Sequence, residues 1–305
     1  MTSQERALHV AELVGGASTH VGKVRSLNED AYLLDRKVFA VADGMGGHLA
    51  GEVASEIAID ACGALVTDEP LPISAVAEMV AAANDSVRRY ARHHGTEGMG
   101  STLVGAALVD NAGVDSLLVF NVGDSRCYVL PDGGRLAQLT VDHSLVQELI
   151  DTGELAPENA RRHPDRNVVT RAVGIEDAVA ADYFVVPDNA PARLLFCSDG
   201  VYTELLDDQL ERLLGSDLGP AEAAQSIVDA VLMTRASDNA TALVLDYTPA
   251  NLRGASNEAI GEEIGPPSAA VTSRPSAAGV APAPGDPGST SRASPSKGWI
   301  DRVPL

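Results

Sequence analysis

A short apolar segment that ends in an aspartate and a group of glycines most restricts how this chain can fold. Val38–Ala42 has the length and composition of a buried strand; Asp43 follows, and three glycines stand within the next four residues. A carboxylate at the end of a buried strand is held rigidly, and glycines let the main chain approach whatever it binds. A helical pattern from residue 50 places a helix N-terminus beside them. A simple strand–turn–helix junction capped by Asp43 is the alternative.

Two further apolar strands end on an aspartate with an adjacent glycine, and a fourth aspartate precedes a strand. Residues 116–122 lead into Asp124, Ala192–Cys197 leads into Asp199, and Asp238 stands just before the closing strand. Turn chemistry alone poorly explains so regular a repetition. With a polar cluster near residue 25, the acidic candidates are Glu29, Asp30, Asp43, Asp124, Asp199 and Asp238.

These acids supply only oxygen ligands, which favours Mg²⁺ or Mn²⁺ over zinc. Converging carboxylates repel one another and raise each other's pKa values unless cations neutralise them. Two ions about 3.5–4 Å apart would acidify a shared water and hold the oxygens of an in-line displacement at phosphorus. Arg25 would then bind phosphate oxygens in a bidentate manner.

The chain is strongly acidic, with a formal net charge of −21 over 305 residues. Such a surface argues against nucleic acid as a partner, since phosphate backbones bind basic surfaces. No apolar run reaches the roughly 18 residues of a membrane span, and the first 15 residues lack a signal-peptide pattern. The three cysteines lie far apart in apolar surroundings and fit buried thiols. We therefore expect a cytoplasmic protein without a membrane partner.

The order of apolar and polar segments predicts a leader at residues 1–15, one folded domain at 16–248 and a tail at 249–305. A polar segment at residues 140–174 interrupts the strands, as a flap or a solvated connector would. Its first helix is expected to open at Asp142. The other helical patterns cover residues 50–66, 73–93, 207–214 and 220–234.

The tail differs from the domain in composition. Residues 249–305 hold nine of the 17 prolines and a single aromatic residue, Trp299, so residues 249–297 are predicted to be disordered. Residues 297–305 contain Trp299, Ile300 and Arg302, side chains of the kind that anchor small interfaces. This segment is a candidate docking peptide, and an inert end with a chance tryptophan is the alternative.

Seven short motifs occur in order between about residues 18 and 247, and together they are specific although each alone is weak. They are Arg25-x-x-Asn28-Glu29-Asp30, Asp43-Gly-Met-Gly-Gly-His48, Gly100-Ser-Thr102, Gly123-Asp-Ser-Arg126, Asp142-His143, Ser198-Asp-Gly200 and Asp238-Asn239-Ala-Thr241. By these motifs the chain resembles the bacterial metal-dependent protein Ser/Thr phosphatases of type 2C, the PPM family. The resemblance implies an α+β fold: a four-layer α-β-β-α sandwich of two antiparallel sheets flanked by helix pairs, with metals at one end.

The resemblance also implies roles for the acidic residues. Asp43 would bridge two Mn²⁺ or Mg²⁺ ions, and the Gly44 carbonyl would bind the second ion. Asp199 and Asp238 would complete the first site, with Glu29 near the second ion, directly or through water. The implied reaction is hydrolysis of phosphoserine and phosphothreonine in proteins by direct attack of a water that bridges the metals, without a phosphoenzyme.

Further residues take supporting roles by the same resemblance. Asp124 and Asp199 would hold a weaker third ion, and Arg25 matches the phosphate-binding arginine. Asp30 and Asn239 are expected just behind the metal ligands. The expected partners are phosphorylated proteins and the Ser/Thr kinases that the enzyme would oppose, and a monomer is the default state.

One position departs from eukaryotic members, which carry a histidine, proposed as general acid, where this chain has Met45. Methionine cannot donate a proton to the leaving serine or threonine oxygen. His48 is a candidate donor, although a histidine at a helix start also serves to brace a turn, and a metal-bound water is the favoured alternative. In the flap, His163, Asn167 and Arg171 are either substrate contacts or surface residues.

Two other functions fit parts of the pattern. A pseudophosphatase that binds phosphoproteins without turnover is disfavoured because Arg25, Asp43, Asp199 and Asp238 are all present. A two-metal nuclease conflicts with the acidic surface.

Overall fold

The computed structural model describes residues 11–46, 50–64 and 70–252. His48, the first ten residues and the chain from residue 253 lie outside the described residues, so the docking segment and most of the predicted leader and disordered tail are not addressed by the structure. Among the helices described, none is long and apolar enough to cross a bilayer.

Two β-sheets face each other. The first sheet is built from β1 (Glu12–His20), β8 (Arg126–Pro131), β9 (Ala137–Gln138), β11 (Ala192–Cys197) and β12 (Ala240–Thr248). The second is built from β2 (Asp30–Leu34), β3 (Val38–Met45), β4 (Leu71–Pro72), β5 (Gly100–Ser101), β6 (Leu103–Asn111), β7 (Val114–Val122) and β10 (Asp182–Val185). The strand orders are β1-β12-β11-β8-β9 and β10-β7-β6-β3-β2, with β4 beside β6 and β5 beside β3. All pairs are antiparallel except the two-residue β4–β6 pair.

Helices cover the outer faces of both sheets. The helices on these faces are α1 (Gly51–Gly63), α2 (Ile73–His94), α4 (Asp199–Tyr202), α5 (Asp207–Leu214) and α6 (Pro220–Leu232), whereas α3 (Leu145–Asp151) and a 3-10 helix at Pro157–Arg162 lie in the segment at residues 140–174. Apolar residues of α1 and α2 pack against the second sheet, and those of α4, α5 and α6 pack against the first. A separate apolar core fills the space between the sheets. The predicted four-layer α+β sandwich is therefore confirmed.

The central strand β3 shows why its sequence is a continuous apolar run. Val38, Ala40 and Ala42 face the α1–α2 layer, whereas Phe39 and Val41 face the other sheet. A strand that is buried on both faces has no polar side to alternate with. This burial fixes the strand whose end carries Asp43.

Some boundaries differ from the sequence-based expectations. β1 begins at Glu12, which pairs with Thr248, so the ordered domain begins before residue 16. Helix α3 begins at Leu145, three residues later than predicted, because Ser144 caps its N-terminus by accepting from the Gln147 N–H. Asp142 precedes the helix and forms an ion pair with Arg126.

Candidate active site

Asp43 lies within β3 at one end of the sandwich. The strand continues two residues past it, because Gly44 and Met45 pair with β5. The Asp43 N–H donates to Thr102 Oγ1 at 2.9 Å, and Ser101 Oγ donates to the Asp43 carbonyl at 3.0 Å. The backbone of this acid is thus fixed on both sides.

The other acids arrive at the same end from different elements. Asp199 is the first residue of α4, directly after β11 and Ser198, and Asp238 lies in the loop before β12. Asp124 occupies the turn between β7 and β8. Asp199 and Asp124 both raise the pKa of Asp43 by charge repulsion, so the three carboxylates lie within electrostatic reach of one another. Both sheets therefore contribute to one acidic cluster.

Asp30 connects the two sheets beneath this cluster. It faces Asp43 across the β2–β3 pair, and its Oδ2 accepts hydrogen bonds from Ser198 Oγ and Thr241 Oγ1, each at 2.7 Å. Thr241 also shares a 2.7 Å hydrogen bond with Thr19. Asp30 Oδ1 is buried and has no hydrogen-bond partner within the described part of the chain. A buried carboxylate oxygen without a partner is costly unless a proton or a cation lies nearby.

The cluster is electrostatically strained. Burial is the largest cause of a pKa well above the ordinary range at Asp43, followed by repulsion from Asp30. Burial, with repulsion from neighbouring aspartates, raises the pKa of Asp30 and of Asp124 to about 7. Burial and then repulsion from Asp238 raise the pKa of Asp199 to about 6. Divalent cations would remove this repulsion and keep the acids ionised.

Arg25 lies at the edge of the cluster. Its Nη2 donates to Asp238 Oδ2 at 2.8 Å and its Nη1 lies 3.8 Å from Glu29 Oε2, while half of the side chain (49%) is exposed. A guanidinium has five N–H donors, so most of them remain available for a phosphate. Its loop turns at Gly22, where φ is +79° and an added Cβ would lie 2.2 Å from the Asp238 carbonyl, which only glycine tolerates.

Asn239 fastens the Arg25 loop to the first sheet. Its Oδ1 accepts from the Glu29 N–H at 2.9 Å, and its Nδ2 donates to the carbonyls of Val21 at 3.0 Å and Leu27 at 2.9 Å. One side chain thereby fixes both ends of the loop that presents Arg25. The sequence placed Asn239 behind the metal ligands but did not indicate this contact.

Glu52, in the first turn of α1, is an acid that the sequence reasoning missed. Burial raises the pKa of Glu29, Arg25 lowers it, and Glu52 raises it further, so the two glutamates are neighbours. Glu52 Oε2 is buried without a hydrogen-bond partner among the residues described. The sequence offered only a weak signal, because an acid in the first helical turn is common for its interaction with the helix dipole.

A buried ion pair supports Asp124. Arg126 Nε and Nη2 donate to Asp142 Oδ1 at 2.9 Å and Oδ2 at 2.6 Å, and both side chains are more than nine-tenths buried. The Arg126 guanidinium also lies 3.6 Å from the centre of the Tyr202 ring, whose hydroxyl donates to the Asp124 carbonyl at 3.0 Å. Asp142 is therefore used in a buried ion pair with Arg126, whereas Ser144 caps the helix that follows.

The flap segment approaches the cluster from one side. Arg161 Nη2, on the 3-10 helix, donates to the carbonyl of Tyr202 at 2.8 Å, and Asn167 lines a cleft of about 90 Å³ together with Asp124 and Asp199. Arg171, in contrast, bonds to His143 and Asp182 and so braces the base of the flap. His163 is not among the residues that line the cleft; its Nδ1 accepts from the Asp165 N–H at 3.2 Å.

The donor chemistry of the cluster suits hard divalent cations. In the part of the chain that the structure describes, no three acidic, histidine or cysteine side chains close into a finished cation site. The ligands nevertheless offer only oxygen, the carboxylates raise each other's pKa, and Asp30 Oδ1 has no partner. The residues present therefore fit Mn²⁺ or Mg²⁺.

Comparison with known proteins identifies the family. The family model described as protein phosphatase 2C matches residues 19–243, which is most of the chain. The chain belongs to this family. A serine/threonine phosphatase, stp, of Listeria monocytogenes is 36% identical over 241 residues, covering 75% of this chain and 93% of that protein.

Solved structures agree with this protein phosphatase 2C assignment. The catalytic domain of the serine threonine protein phosphatase PstP, in complex with two manganese ions, superposes with a TM-score of 0.69 at 33% identity, covering 78% of this chain and all of that one. Staphylococcus aureus Stp1 gives a TM-score of 0.70 at 30% identity, covering 81% and 98%.

Within this protein phosphatase 2C domain, the structure brings together most of the residues that the sequence singled out. Arg25, Glu29, Asp30, Asp43, Asp124, Asp199, Asp238 and Asn239 all lie at one end of the sandwich. His48 lies outside the described residues, so its role as a proton donor stays a prediction.

Proposed function

We propose that this chain hydrolyses phosphoserine and phosphothreonine in proteins with the help of two divalent ions, Mn²⁺ or Mg²⁺, and a weaker third. The observation that carries the proposal is a buried cluster of mutually repelling carboxylates beside a half-exposed arginine, in a domain of the protein phosphatase 2C family. The PstP catalytic domain holds two manganese ions, and the relatives are named serine/threonine phosphatases.

In this proposal Asp43, the Gly44 carbonyl, Asp199 and Asp238 would hold the two ions, with Glu29 beside the second. Asp124 and Asp199 would hold the third. Bound ions would neutralise the cluster, activate the attacking water and stabilise charge on the phosphoryl oxygens. The remaining functions belong to the chain's own side chains.

Arg25 binds the non-bridging phosphate oxygens through its unused N–H groups, and Asn239 holds its loop in position. Asp30 keeps the two sheets at a fixed separation through Ser198 and Thr241. Met45, at the end of β3, cannot donate a proton. Protonation of the leaving oxygen by His48 or by a bound water remains part of the proposal.

The broader assignments are also proposals. The catalytic unit comprises residues 16–248 together with the preceding part of β1, phosphoproteins are its substrates, and Ser/Thr kinases supply them. We propose a cytoplasmic monomer that acts in signalling, with residues 249–305 as a tail.

Phosphate release from a phosphothreonine peptide and from a small aryl phosphate tests the proposed function. We expect both reactions to require added Mn²⁺ or Mg²⁺, to stop in EDTA and to return with excess Mn²⁺. Binding of the phosphopeptide with no release of phosphate in saturating Mn²⁺ would support the pseudophosphatase instead. Cleavage of nucleic acid under the same conditions would support the nuclease.

A further inference from the structure

The loop that carries Arg25 exposes two apolar side chains beside it. Val24 is 69% exposed and Leu27 is 44% exposed, whereas most large apolar side chains of the described chain are buried. They stand one and two residues from Arg25 in a segment between β1 and β2. Exposed single apolar residues are common, so their position and support decide whether they have a function.

This loop is held firmly. Asn239 bonds the carbonyls of Val21 and Leu27, and the Lys23 N–H donates to the Ala236 carbonyl at 2.8 Å. Lys23 Nζ donates to the Thr234 carbonyl at 3.1 Å. A loop fixed in this way cannot withdraw Val24 into the core, and a prearranged surface loses little entropy when a ligand binds.

Because Val24 and Leu27 are close to Arg25 in the loop, the proposed phosphate contact of Arg25 determines which part of a substrate comes near them. If the guanidinium holds the substrate phosphate, the residues next to the phosphorylated one lie within about 4–7 Å of it along the peptide. Val24 and Leu27 lie at the same short spacing from Arg25 along the loop. A substrate whose phosphate is held by Arg25 would therefore bring its flanking residues close to these two exposed side chains.

The surroundings also disfavour acidic flanking residues. The chain carries a formal net charge of −21, so a substrate carboxylate near the loop would still be repelled when divalent ions neutralise the cluster. An uncharged apolar side chain avoids this repulsion and removes apolar surface of Val24 and Leu27 from water.

We propose that Val24 and Leu27 contact the residues that flank the phosphorylated residue, so that the enzyme prefers phosphopeptides with an apolar flank over those with an acidic flank. This selectivity rests on the proposed phosphatase function. The two side chains determine specificity and take no part in the chemical step.

Three phosphothreonine peptides that differ only at the two flanking positions, carrying Leu, Ala or Asp, test the proposal with the full chain in Mn²⁺. We expect kcat/KM for the Leu peptide to exceed that for the Ala peptide by about tenfold, mostly through KM, since one apolar contact contributes that order of discrimination. The Asp peptide should be the poorest substrate. Raising the salt concentration should reduce only the Asp penalty, since charge repulsion is screened and apolar contact is not.

The double variant Val24→Ser/Leu27→Ser should lose the preference for Leu over Ala while it hydrolyses a small aryl phosphate at the wild-type rate. Val114→Ser is the matched control, because Val114 is 48% exposed and lies at the start of β7, about 26 Å from the strand end that leads into Asp124. This control should keep the full preference.

A double variant that still prefers the Leu peptide as strongly as the wild type would overturn the proposal. So would a wild type that cleaves the aryl phosphate yet treats all three peptides alike. A wild type that cleaves neither the aryl phosphate nor any peptide in saturating Mn²⁺ would instead refute the proposed function itself.

Discussion

The two ends of the sandwich differ in how completely their charged groups are paired. At the end remote from Asp43, Arg193 makes five hydrogen bonds: two to Asp246, at 2.6 and 2.9 Å, and three to the carbonyls of Leu214, Ser216 and Leu218. At the Asp43 end, carboxylates face one another, and Asp30 Oδ1 and Glu52 Oε2 have no partner among the described residues.

The larger cavity lies at the end of the sandwich remote from the acidic cluster. The remote groove, lined by Arg193 and Asp246, has a volume of about 860 Å³, against about 90 Å³ for the cleft beside Asp124 and Asp199. Arg193 fastens the loop after α5 to the first sheet, so its charge is fully used in holding the fold. Unsatisfied charge, and not volume, therefore distinguishes the proposed functional end, because strain of this kind persists where a ligand relieves it.

The largest effect should come from removing a carboxylate at each end. Asp43→Asn and Asp199→Asn should each lower phosphate release by about a thousandfold or more in saturating Mn²⁺, because each removes a proposed metal ligand. Asp246→Asn, the matched change at the remote end, should leave the rate unchanged. Steady-state kinetics with an aryl phosphate measure all three.

The stability of the same variants sharpens this contrast. In EDTA, Asp43→Asn should melt at or above the wild-type temperature, since an amide stays neutral among the other acids without having to take up a proton on folding. A clear fall in its melting temperature would mean that Asp43 supports the fold. Near-wild-type activity of Asp199→Asn in saturating Mn²⁺ would refute the metal-centre assignment.

The site residues that could be predicted are those whose immediate neighbours in sequence mark them. Features that depend on contacts between distant segments could not be predicted. Asp43, Asp124 and Asp199 could be singled out because each comes at or just after the end of a buried apolar run. The extension of β3 to Met45 could not be predicted, since it requires pairing with β5, which lies more than 50 residues away in sequence.

The supporting residues were hidden for the same reason. Asp142 looked like a helix start, because the sequence does not show that Arg126 pairs with it. Glu52 looked like an ordinary acid in a first helical turn, and only the fold places it beside Glu29. The fold class and most acids of the site are thus readable from sequence, whereas the contacts that orient them are not.

Arg25 should give the next largest effect. Arg25→Ala should raise KM for a phosphopeptide by roughly ten- to a hundredfold, the cost of lost hydrogen bonds to a charged group, while Mn²⁺ affinity changes little. Arg25→Lys should recover only part of the loss, because an ammonium cannot bind phosphate in a bidentate manner. If calorimetry shows Mn²⁺ affinity falling as steeply as phosphopeptide affinity, Arg25 is structural, since it also bonds Asp238.

The raised pKa values predict how the metal-free domain responds to pH. Asp30 and Asp124 have pKa values of about 7 in the folded chain against an ordinary value of 3.8, so between about pH 4 and pH 7 the folded state binds more protons than the unfolded state. Stability must then fall as pH rises through this range. Because each of the two groups holds about one extra proton over roughly two pH units, we expect the free energy of unfolding in EDTA to drop by on the order of 5 kcal/mol between pH 5 and pH 8.

Denaturant unfolding at both pH values measures this change. Saturating Mn²⁺ should reverse the trend at high pH, because deprotonated carboxylates bind cations. A metal-free domain that becomes more stable from pH 5 to pH 8 would contradict the strained cluster.

A smaller effect is expected at the remote end. Asp246→Asn should cost about 1 kcal/mol of stability, because Asp246 is partly exposed and Arg193 keeps its three carbonyl partners. Thermal unfolding at pH 7 measures this cost. Loss of phosphatase activity in a variant that still folds would show that the remote end influences catalysis and would break the contrast between the two ends.

Removal of the tail should have the smallest effect on chemistry. Ala250 is buried in the core between the sheets, so the cut belongs after Leu252 and not at Tyr247, where β12 is still paired. A chain that ends at Leu252 should hydrolyse an aryl phosphate at the wild-type rate, because every proposed ligand precedes residue 249.

Slower or redirected dephosphorylation of proteins in a lysate by this truncated chain would support docking by residues 297–305. The full-length variant Trp299→Ser/Ile300→Ser should reproduce that change if these side chains anchor the segment, and should match the wild type if the segment is inert. Equal behaviour of the truncated, substituted and wild-type chains on every phosphoprotein would eliminate the docking role, whereas loss of aryl phosphate hydrolysis on truncation would show that the catalytic unit extends beyond residue 252.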